Sequence, residues 1–293
     1  MRKMARLALF TDTAQGIAAG FPGAVAIEAR KFPDGEIYLR IPEDCKGKDV
    51  LVLHRCYPEI NENLIKLFQI TAAVKAQSPK SLRIFVPYLP YARMDKMVKE
   101  GEAISADIVC GILKSLGCTE LITVDCHFIK EGAGTFERAG LKIKNLTAAD
   151  ALLAHLKPKA PGAVVASPDA GASYMSSRAE GGQSMKKVRA DYDAGSSSAY
   201  RKIEKLEAGF DVKGKDVIII DDMVSTGSTM IKAVRVLKEA GAKSVHCATT
   251  HGLFLNDALA KLKAAGAGEV ACTDSIQSTA AKISVAKLLS GAL

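Results

Sequence analysis

The strongest constraint on the fold of this chain is an internal duplication. The pentapeptide Lys-Gly-Lys-Asp-Val occupies residues 46–50 and recurs, letter for letter, at residues 213–217. Each copy leads into an apolar run typical of a buried strand, residues 50–53 and 217–220, then a polar loop, an amphipathic helix and a Lys-Ser pair. The matching order indicates two related domains, and the chain is long enough for each to have its own core.

Short apolar strands alternate with helices along the chain, which predicts α/β domains with mainly parallel sheets covered by helices on both faces. Pro158 and Pro161 mark a boundary, so we expect an N-terminal domain at residues 1–147 and a C-terminal one at 148–293. Ligands of such sheets bind at the carboxyl ends of the strands. The predicted strands are a first strand near the N terminus and residues 50–53, 82–87, 120–125, 163–166, 217–220, 245–249 and 269–272; the predicted helices are residues 62–76, 105–116 (capped by Ser105) and 228–240.

Composition narrows the class of protein. The 48% hydrophobic and 25% charged fractions are ordinary globular values. No run approaches the roughly 18 apolar residues of a membrane helix, and the basic N terminus has too short an apolar run for a signal peptide. The seven cysteines form no CxxC pair, so we expect reduced core thiols in a soluble cytoplasmic protein. A diffuse net charge of +8 with no Trp argues against a single-stranded nucleic acid partner and fits small anionic substrates.

The most informative motif follows the second copy of the duplicated strand. Two adjacent carboxylates, Asp221 and Asp222, come first, and a hydroxyl-rich turn into a helix comes next. Backbone N–H groups at a helix start bind phosphate, whereas carboxylates repel it and suit the vicinal hydroxyls of a sugar or a divalent cation. The combination predicts a sugar-phosphate site. The alternative is an ordinary N-capped helix with two solvated aspartates. The turn consists of Ser225, Thr226, Gly227, Ser228 and Thr229.

The first copy has His54 and Arg55 where the second has the two aspartates, and it lacks the hydroxyl-rich turn. Only one half of the duplication therefore carries the predicted sugar-phosphate site.

Residues 217–230 resemble the phosphoribosyl diphosphate motif of type I phosphoribosyltransferases, and further motifs narrow the resemblance to the ribose-phosphate diphosphokinase family, in its archaeal type. The resemblance covers essentially the whole chain and implies two duplicated phosphoribosyltransferase-like domains. The implied reaction transfers the diphosphoryl group of ATP to the C1 hydroxyl of ribose 5-phosphate, giving 5-phosphoribosyl 1-diphosphate and AMP. The further motifs are residues 31–36, 87–96, 102–105, 124–127, 167–171, 250–252 and 284–289.

The resemblance also implies roles for residues outside the sugar-phosphate motif. Lys187 and Arg189 match the family's Lys-x-Arg catalytic loop, in which the lysine stabilises the transferring group and the arginine clamps phosphate. His127 and Asp169 are implied as Mg²⁺ ligands. The implied ATP site takes Phe32 to stack on adenine, Asp34 and Glu36 to accept from its amino group or fix the loop, and the segment around Arg93 to contact phosphates. The ATP-site residues are Phe32, Asp34, Gly35, Glu36, Arg93, Met94, Asp95 and Lys96.

Simpler interpretations stand beside these. Without the resemblance, Lys187 and Arg189 belong to a solvated basic loop that includes a Gly/Ser-rich stretch, residues 194–198, and residues 33–36 form a plain turn. A lone histidine is more often structural, which is how His54, His155 and His246 are interpreted. In the family, the loop at residues 32–36 comes from a neighbouring subunit, so the resemblance implies a homo-oligomer, at least a dimer.

Three features depart from the family pattern. Met94 replaces a glutamine, the 18-residue span from Asp169 to Lys187 is short and predicts a truncated strand, and the turn at 225–229 lacks an acidic first residue. Two other functions remain open at this point. One is a phosphoribosyltransferase that consumes phosphoribosyl diphosphate, which would not need Phe32 or His127. The other is a non-catalytic regulatory homologue of the synthetase, which the intact candidate residues argue against.

Overall fold

The computed structural model describes residues 6–189 and 204–293. The chain divides into two compact units, Met1–Ala148 with Ser284–Leu293, and Ala149–Ile283. The C-terminal ten residues therefore group with the first unit, whereas the expected division at residue 148 assigned them to the second. They do so because helix α8 (Val285–Ser290) packs on helix α1 (Gln15–Ala18) and because Lys144 donates to the carbonyl of Ala292.

The first unit contains a seven-stranded sheet in the order β2-β1-β5-β6-β7-β9-β8. All neighbouring pairs are parallel except β8 with β9, and a separate antiparallel hairpin is formed by β3 and β4. Its strands are β1 Arg6–Phe10, β2 Val25–Ala26, β3 Glu28–Lys31, β4 Ile37–Arg40, β5 Asp49–Leu53, β6 Ser81–Phe85, β7 Glu120–Val124, β8 Gly134–Arg138 and β9 Leu141–Leu146, and its remaining helices are α2 Ile60–Ala76 and α3 Ser105–Ser115.

The second unit contains a six-stranded, wholly parallel sheet in the order β11-β10-β14-β15-β16-β17. It too has a separate antiparallel hairpin, formed by β12 and β13. Its strands are β10 Val164–Ser167, β11 Gln183–Ser184, β12 Lys186–Arg189, β13 Glu204–Glu207, β14 Asp216–Val224, β15 Ser244–Gly252, β16 Ala267–Thr273 and β17 Ala281–Ile283, and its helices are α4 Ala149–Leu156, α5 Ser173–Ser176, α6 Ser228–Glu239 and α7 Ala258–Ala264.

The two units repeat one arrangement, which confirms the predicted duplication of mainly parallel α/β domains. Each runs from a central strand through a 3₁₀ turn and a one-turn helix into a two-residue strand, a hairpin, and then strand, helix, strand, helix, strand. Strand β1 thus corresponds to β10, the hairpin β3–β4 to β12–β13, and β5 to β14. The sequence predicted the strands after the pentapeptide but neither hairpin.

The duplicated pentapeptide forms the same hydrogen-bonded turn in both units. Gly47 and Gly214 take positive φ angles of 66° and 70°, which favours glycine at both positions. The Ser81 hydroxyl donates to Asp49 Oδ1 at 2.6 Å, and the Ser244 hydroxyl donates to Asp216 Oδ1 at the same distance. Each turn is therefore tied to the amino end of the next strand.

Each core follows from the apolar patterns. In α6, the buried residues Met230, Ala233, Val234 and Leu237 recur at helical spacing and pack on the apolar face of the second sheet. The seven cysteines are free and buried, as predicted. Burial raises the pKa of the Cys110 thiol to about 11 and that of Cys247 to about 12, which keeps both thiols protonated and unreactive.

Two local predictions were wrong. Ser105 is the first residue of α3 rather than its cap: Ile104 precedes the helix and no side chain caps it. The second-copy strand does not end at residue 220 but continues to Val224, because β15 pairs with it along this whole length. In residues 6–189 and 204–293, no helix is both long and apolar enough to cross a membrane.

Candidate active site

Asp221 and Asp222 lie near the carboxyl end of strand β14, at the carboxyl edge of the second sheet. Asp222 is buried and Asp221 is half-buried, and Asp221 Oδ1 accepts the backbone N–H of Asp222 at 2.9 Å. The strand therefore delivers two carboxyl groups to the edge where ligands of parallel sheets bind.

The electrostatics of this pair are dominated by desolvation. Burial raises the pKa of Asp221 well above its usual range, and the adjacent carboxyl of Asp222 and the nearby one of Asp169 raise it further. A hydrogen bond between the carboxyls of Asp221 and Asp222 acts in the same direction. The pair is thus suited to bind hydroxyl groups or a cation, which relieve the repulsion between the carboxylates.

The hydroxyl-rich turn connects β14 to α6. Gly227 has a φ of 76°, and a Cβ there would lie 3.1 Å from that of Ala258, so both the backbone conformation and the close packing favour glycine. Helix α6 begins at Ser228, which leaves its first N–H groups without partners inside the helix. Within the described residues, the hydroxyls of the turn make no hydrogen bond to the protein: Ser225, Thr226, Ser228 and Thr229.

Asp169 follows β10, the strand beside β14. Its Oδ1 accepts the N–H of Gly171 at 2.8 Å, and its carbonyl accepts the hydroxyl of Ser167 at 2.8 Å. It is near enough to Asp221 to raise the pKa of that residue. The structure therefore brings Asp169, Asp221 and Asp222 to one edge of the second sheet, as the sequence predicted from strand ends.

Lys187 and Arg189 lie in β12, where the backbone of Lys187 pairs with Leu206 and that of Arg189 with Glu204. The sequence predicted a flexible loop here, and the backbone of 186–189 instead forms one strand of a hairpin. The Gly/Ser-rich stretch 194–198 lies outside the described residues. The strand that precedes β12 is β11, which the sequence predicted to be truncated. It has two residues, and so has its counterpart β2 in the first unit.

Phe32, Asp34, Gly35 and Glu36 form the tip of the β3–β4 hairpin. Asp34 Oδ1 accepts the N–H of Glu36 at 3.1 Å, and Gly35 has a φ of 96°, so part of this motif shapes the turn itself. Phe32 is 40% exposed, and its ring meets Tyr38 edge-on with 6.3 Å between centroids. The guanidinium of Arg30 lies 5.3 Å from the Phe32 centroid. The hairpin thus presents an aromatic side chain to solvent.

The segment with Arg93, Met94, Asp95 and Lys96 follows β6 in the first unit. Its backbone is anchored, because Ala106 N–H donates to the Met94 carbonyl at 3.1 Å and the guanidinium of Arg138 donates to the Asp95 carbonyl at 2.5 Å. The side chains of Arg93, Met94 and Lys96 are exposed. Arg138 also bonds to Asp107 and was not predicted from the sequence, since it lies far along the chain on β8.

His127 is half-buried and comes directly after β7, as predicted. In the part of the chain that the structure describes, no three His, Cys, Asp or Glu side chains group closely enough to hold a metal ion. The carboxyl oxygens at the end of the second sheet are nevertheless hard donors of the kind that Mg²⁺ takes, and Mg²⁺ needs few protein ligands because it retains water. The residues present therefore fit Mg²⁺ held by one or two side chains.

The three histidines interpreted as structural are indeed bonded to the protein. His54 contacts Thr11 Oγ1 and the carbonyl of Asn63, His155 contacts Glu269, and His246 accepts the N–H of Glu269. The sequence did not point to Thr249 or Ser184, whose buried hydroxyls have no hydrogen-bond partner in the part of the chain that the structure describes. A buried hydroxyl of this kind can be recognised only in the structure, because its hydrogen-bond partners would come from neighbouring strands.

Comparison with known proteins agrees with this arrangement. Residues 13–117 match the N-terminal domain of ribose phosphate pyrophosphokinase, and residues 164–286 match the phosphoribosyl transferase domain. The ribose-phosphate pyrophosphokinase of Pyrococcus abyssi is 35% identical over 263 residues, which is 89% of this chain and 88% of the relative. That of Methanothermobacter thermautotrophicus is 32% identical over 263 residues, 90% of this chain and 89% of the relative.

A solved structure extends the agreement to the fold. The phosphoribosylpyrophosphate synthetase from Mycobacterium smegmatis superposes with a TM-score of 0.81 at 28% identity, covering 98% of this chain and 97% of that one. The two parallel sheets and the carboxylate-hydroxyl edge of the second unit define a transferase with a duplicated phosphoribosyltransferase fold. Within that class, the chain belongs to the ribose-phosphate pyrophosphokinase family.

Proposed function

We propose that this enzyme transfers the diphosphoryl group of ATP to the C1 hydroxyl of ribose 5-phosphate, giving 5-phosphoribosyl 1-diphosphate and AMP. Family membership supports the reaction, and one observation carries the assignment of its sugar site: a pair of carboxyls and a turn of unpartnered hydroxyls at the start of α6. Carboxyls and an anion-binding turn, side by side, match a ligand with hydroxyls at one end and a phosphate at the other.

The 5-phosphate is assigned to the turn. The first N–H groups of α6 point out of the helix, and the hydroxyls of Ser225, Thr226, Ser228 and Thr229 supply further donors. Gly227 allows the phosphate to approach the backbone closely, since it has no side chain. Each of these groups is a neutral donor. Binding of the phosphate therefore depends on the direction of the hydrogen bonds rather than on a positively charged side chain.

The ribose hydroxyls are assigned to Asp221 and Asp222. A carboxylate accepts hydrogen bonds from vicinal hydroxyls, and such charge-assisted bonds are the stronger kind. Holding the ribose at both ends fixes the C1 hydroxyl in one position, which is the main contribution to a reaction whose bond changes involve only oxygen and phosphorus.

In the transfer step the C1 oxygen attacks the β-phosphorus, the bond from that phosphorus to the bridging α–β oxygen breaks, and AMP leaves. Lys187 is assigned to the transferring diphosphoryl group, where its ammonium offsets the negative charge that develops. Arg189 is assigned to a phosphate through its paired N–H donors. Both residues belong to the short strand β12, in which one residue separates them.

The nucleotide is assigned to the first unit. Phe32 offers an exposed ring for stacking on adenine, Glu36 and Asp34 offer acceptors, and Gly35 completes the turn. The exposed Arg93 and Lys96 supply positive charge for phosphates on a segment whose backbone is held through Met94 and Asp95. Met94 has no amide to offer and contributes only contact area.

Mg²⁺ is assigned to Asp169 in the second unit, and the family resemblance implies His127 as a further Mg²⁺ ligand. When bound, it neutralises charge on the phosphate oxygens of the nucleotide. Asp169 Oδ1 accepts the N–H of Gly171 at 2.8 Å, which fixes the orientation of the carboxyl group.

The proposal also places the enzyme in the cytoplasm, where free thiols persist, and makes it a homo-oligomer in which the Phe32 hairpin serves a neighbouring subunit. The exposure of all four β3 residues supports such sharing.

The direct test measures AMP formation from ATP and Mg²⁺ with and without ribose 5-phosphate. We expect AMP only when the sugar is present, together with an acid-labile phosphoribosyl product. Folded protein that forms no sugar-dependent AMP would instead be the regulatory homologue, and consumption of phosphoribosyl diphosphate in the presence of a base would indicate a phosphoribosyltransferase.

Subunit sharing has its own test. Phe32→Ala and Lys187→Ala subunits, each of low activity alone, are mixed after dissociation and reassociation. If the hairpin acts on the neighbouring subunit, mixed oligomers contain some complete sites and regain activity. A mixture that stays at the level of its parents would show that each subunit uses its own hairpin.

A further inference from the structure

Thr249 lies on β15, directly beside Asp221. The parallel register pairs Ile219 with Cys247, Asp221 with Thr249 and Met223 with His251. Side chains of residues paired in this way point to the same face of the sheet. Ile219 and Cys247 belong to the apolar core on which α6 packs. Thr249 and Asp221 therefore form the first polar pair where this row leaves the core and reaches the active-site edge.

Among residues 6–189 and 204–293, the hydroxyl of Thr249 has no hydrogen-bond partner, although the residue is 1% exposed. Thr273, one strand further on and equally buried, shows the usual solution: its hydroxyl donates to the carbonyl of Thr250 at 2.7 Å and accepts the N–H of Ser275 at 3.1 Å. Burial of a hydroxyl without a partner is unfavourable, so an unused donor beside a ligand-binding carboxyl calls for an explanation.

Asp221 Oδ1 accepts the N–H of Asp222 at 2.9 Å, and the two carboxyl groups also share a hydrogen bond, so these contacts come from the next residue of its own strand. An ionised carboxylate has about four acceptor positions and binds two hydroxyls of a sugar well only when its plane is fixed. The neighbouring hydroxyl of Thr249 is placed to provide a second fixed direction from the adjacent strand.

We propose that Thr249 is a positioning residue for Asp221: when ribose 5-phosphate occupies the site, the Thr249 hydroxyl donates to the Asp221 carboxylate and holds its plane toward the ribose hydroxyls. This inference rests on the proposed function, because it takes Asp221 as the sugar-binding carboxylate. It assigns Thr249 no contact with the substrate.

Thr249→Val is the principal test, since valine has the shape of threonine without its donor. We expect KM for ribose 5-phosphate to rise about tenfold or more, the loss of one hydrogen bond to a charged group, with kcat within about twofold of wild type. The thermal midpoint should stay equal or rise, because a buried hydroxyl without a partner is replaced by a methyl group. Thr249→Ser should restore KM.

Thr273→Val is the matched control, because it removes a hydroxyl that is equally buried but already bonded. We expect the opposite pattern: a lower thermal midpoint and an unchanged KM for ribose 5-phosphate. A purely structural Thr249 would behave in the same way as this control.

The proposal is overturned by an unchanged KM in Thr249→Val, by a variant that unfolds or loses stability, or by a raised KM that serine does not restore. Its failure can be told from failure of the proposed function by measuring ribose 5-phosphate binding calorimetrically on wild type and Thr249→Val. Wild type that binds the sugar but forms no AMP sinks the proposed reaction alone, whereas equal affinities in the two proteins overturn the role of Thr249.

Discussion

The strands that follow the duplicated pentapeptide, β5 and β14, begin alike and end differently. At their amino ends, Asp49 and Asp216 bond to the serines of the next strands with equal distances. At their carboxyl ends, β5 leads to His54 and Arg55, whereas β14 carries Asp221 and Asp222. The amino ends preserve what the fold needs, and the carboxyl ends hold what distinguishes the two units.

The two side chains that follow β5 make hydrogen bonds within the first unit. His54 is fully buried between Thr11 and the carbonyl of Asn63, and the guanidinium of Arg55 donates to the carbonyl of Thr13 at 3.1 Å. The end of β14 instead carries two adjacent carboxyl groups, which we propose to bind the ribose hydroxyls. Equivalent positions in the two units therefore have different tasks. At the end of β5 the side chains bond to the protein, whereas at the end of β14 we propose that they bind a ligand.

The largest expected effect concerns the second hairpin. Lys187→Ala should lower kcat by about two to three orders of magnitude while KM for ribose 5-phosphate changes only a few fold, because the lost charge acts in the transition state. Lys186→Ala is the matched control, an exposed lysine in the same strand, and should retain near wild-type turnover. Steady-state AMP formation measures both. Equal effects in the two variants would show that the register of the catalytic lysine is wrong.

The second-largest expected effect concerns the carboxyl end of β14, which β5 does not match. Asp222→Asn keeps the shape of the side chain but removes its charge, so the bonds to the ribose hydroxyls weaken and KM for ribose 5-phosphate should rise about tenfold or more. Calorimetric titration with the sugar phosphate checks the same change without turnover. An unaltered affinity would remove the aspartate pair from the sugar site.

The counterpart at β5 should affect stability rather than catalysis. Burial lowers the pKa of His54 to about 4 from the ordinary 6.5. The unfolded chain therefore takes up a proton that the folded one refuses, so stability is full above pH 6.5 and falls as the pH drops toward 4, by up to about 3 kcal/mol. His54→Gln should flatten that decline and leave KM for ribose 5-phosphate unchanged. Denaturant unfolding at pH 7, 5.5 and 4.5 measures the free energy of unfolding of both proteins. If this free energy falls equally with pH in the variant and in wild type, His54 is not the group responsible.

The smallest effect tests the likeness of the two turns. Hydrogen bonds from Ser81 and Ser244 lower the pKa of Asp49 and Asp216, with Lys80 and Lys243 acting in the same direction. A lowered pKa stabilises the fold above the ordinary value of 3.8, and this contribution disappears as the pH falls through the folded pKa. Asp49→Asn and Asp216→Asn should each lower the thermal midpoint slightly and equally at pH 7, and both effects should shrink as the pH falls below 3.8. Clearly unequal shifts would show that the turns are alike only in geometry.

Much of the fold could be predicted from local pattern. The pentapeptide located two strands and the helices after them, and the strand ends pointed to Asp169, Asp221 and Asp222. The hairpins β3–β4 and β12–β13 could not be predicted, because exposed, charged strands such as Glu28–Lys31 lack the apolar periodicity that reveals a strand. The extension of β14 to Val224 was also hidden, since it depends on pairing with β15.

The sequence by itself determined the duplication, the class of each domain and the residue types of the sugar-phosphate turn, because these follow from apolar runs, glycines and hydroxyls close together along the chain. Only the tertiary structure decided which polar groups find partners: within the described residues His54 and Thr273 have them, whereas the Thr249 hydroxyl does not. The physical reason is that a hydrogen bond joins atoms brought together by strand register and packing, and sequence distance says little about either.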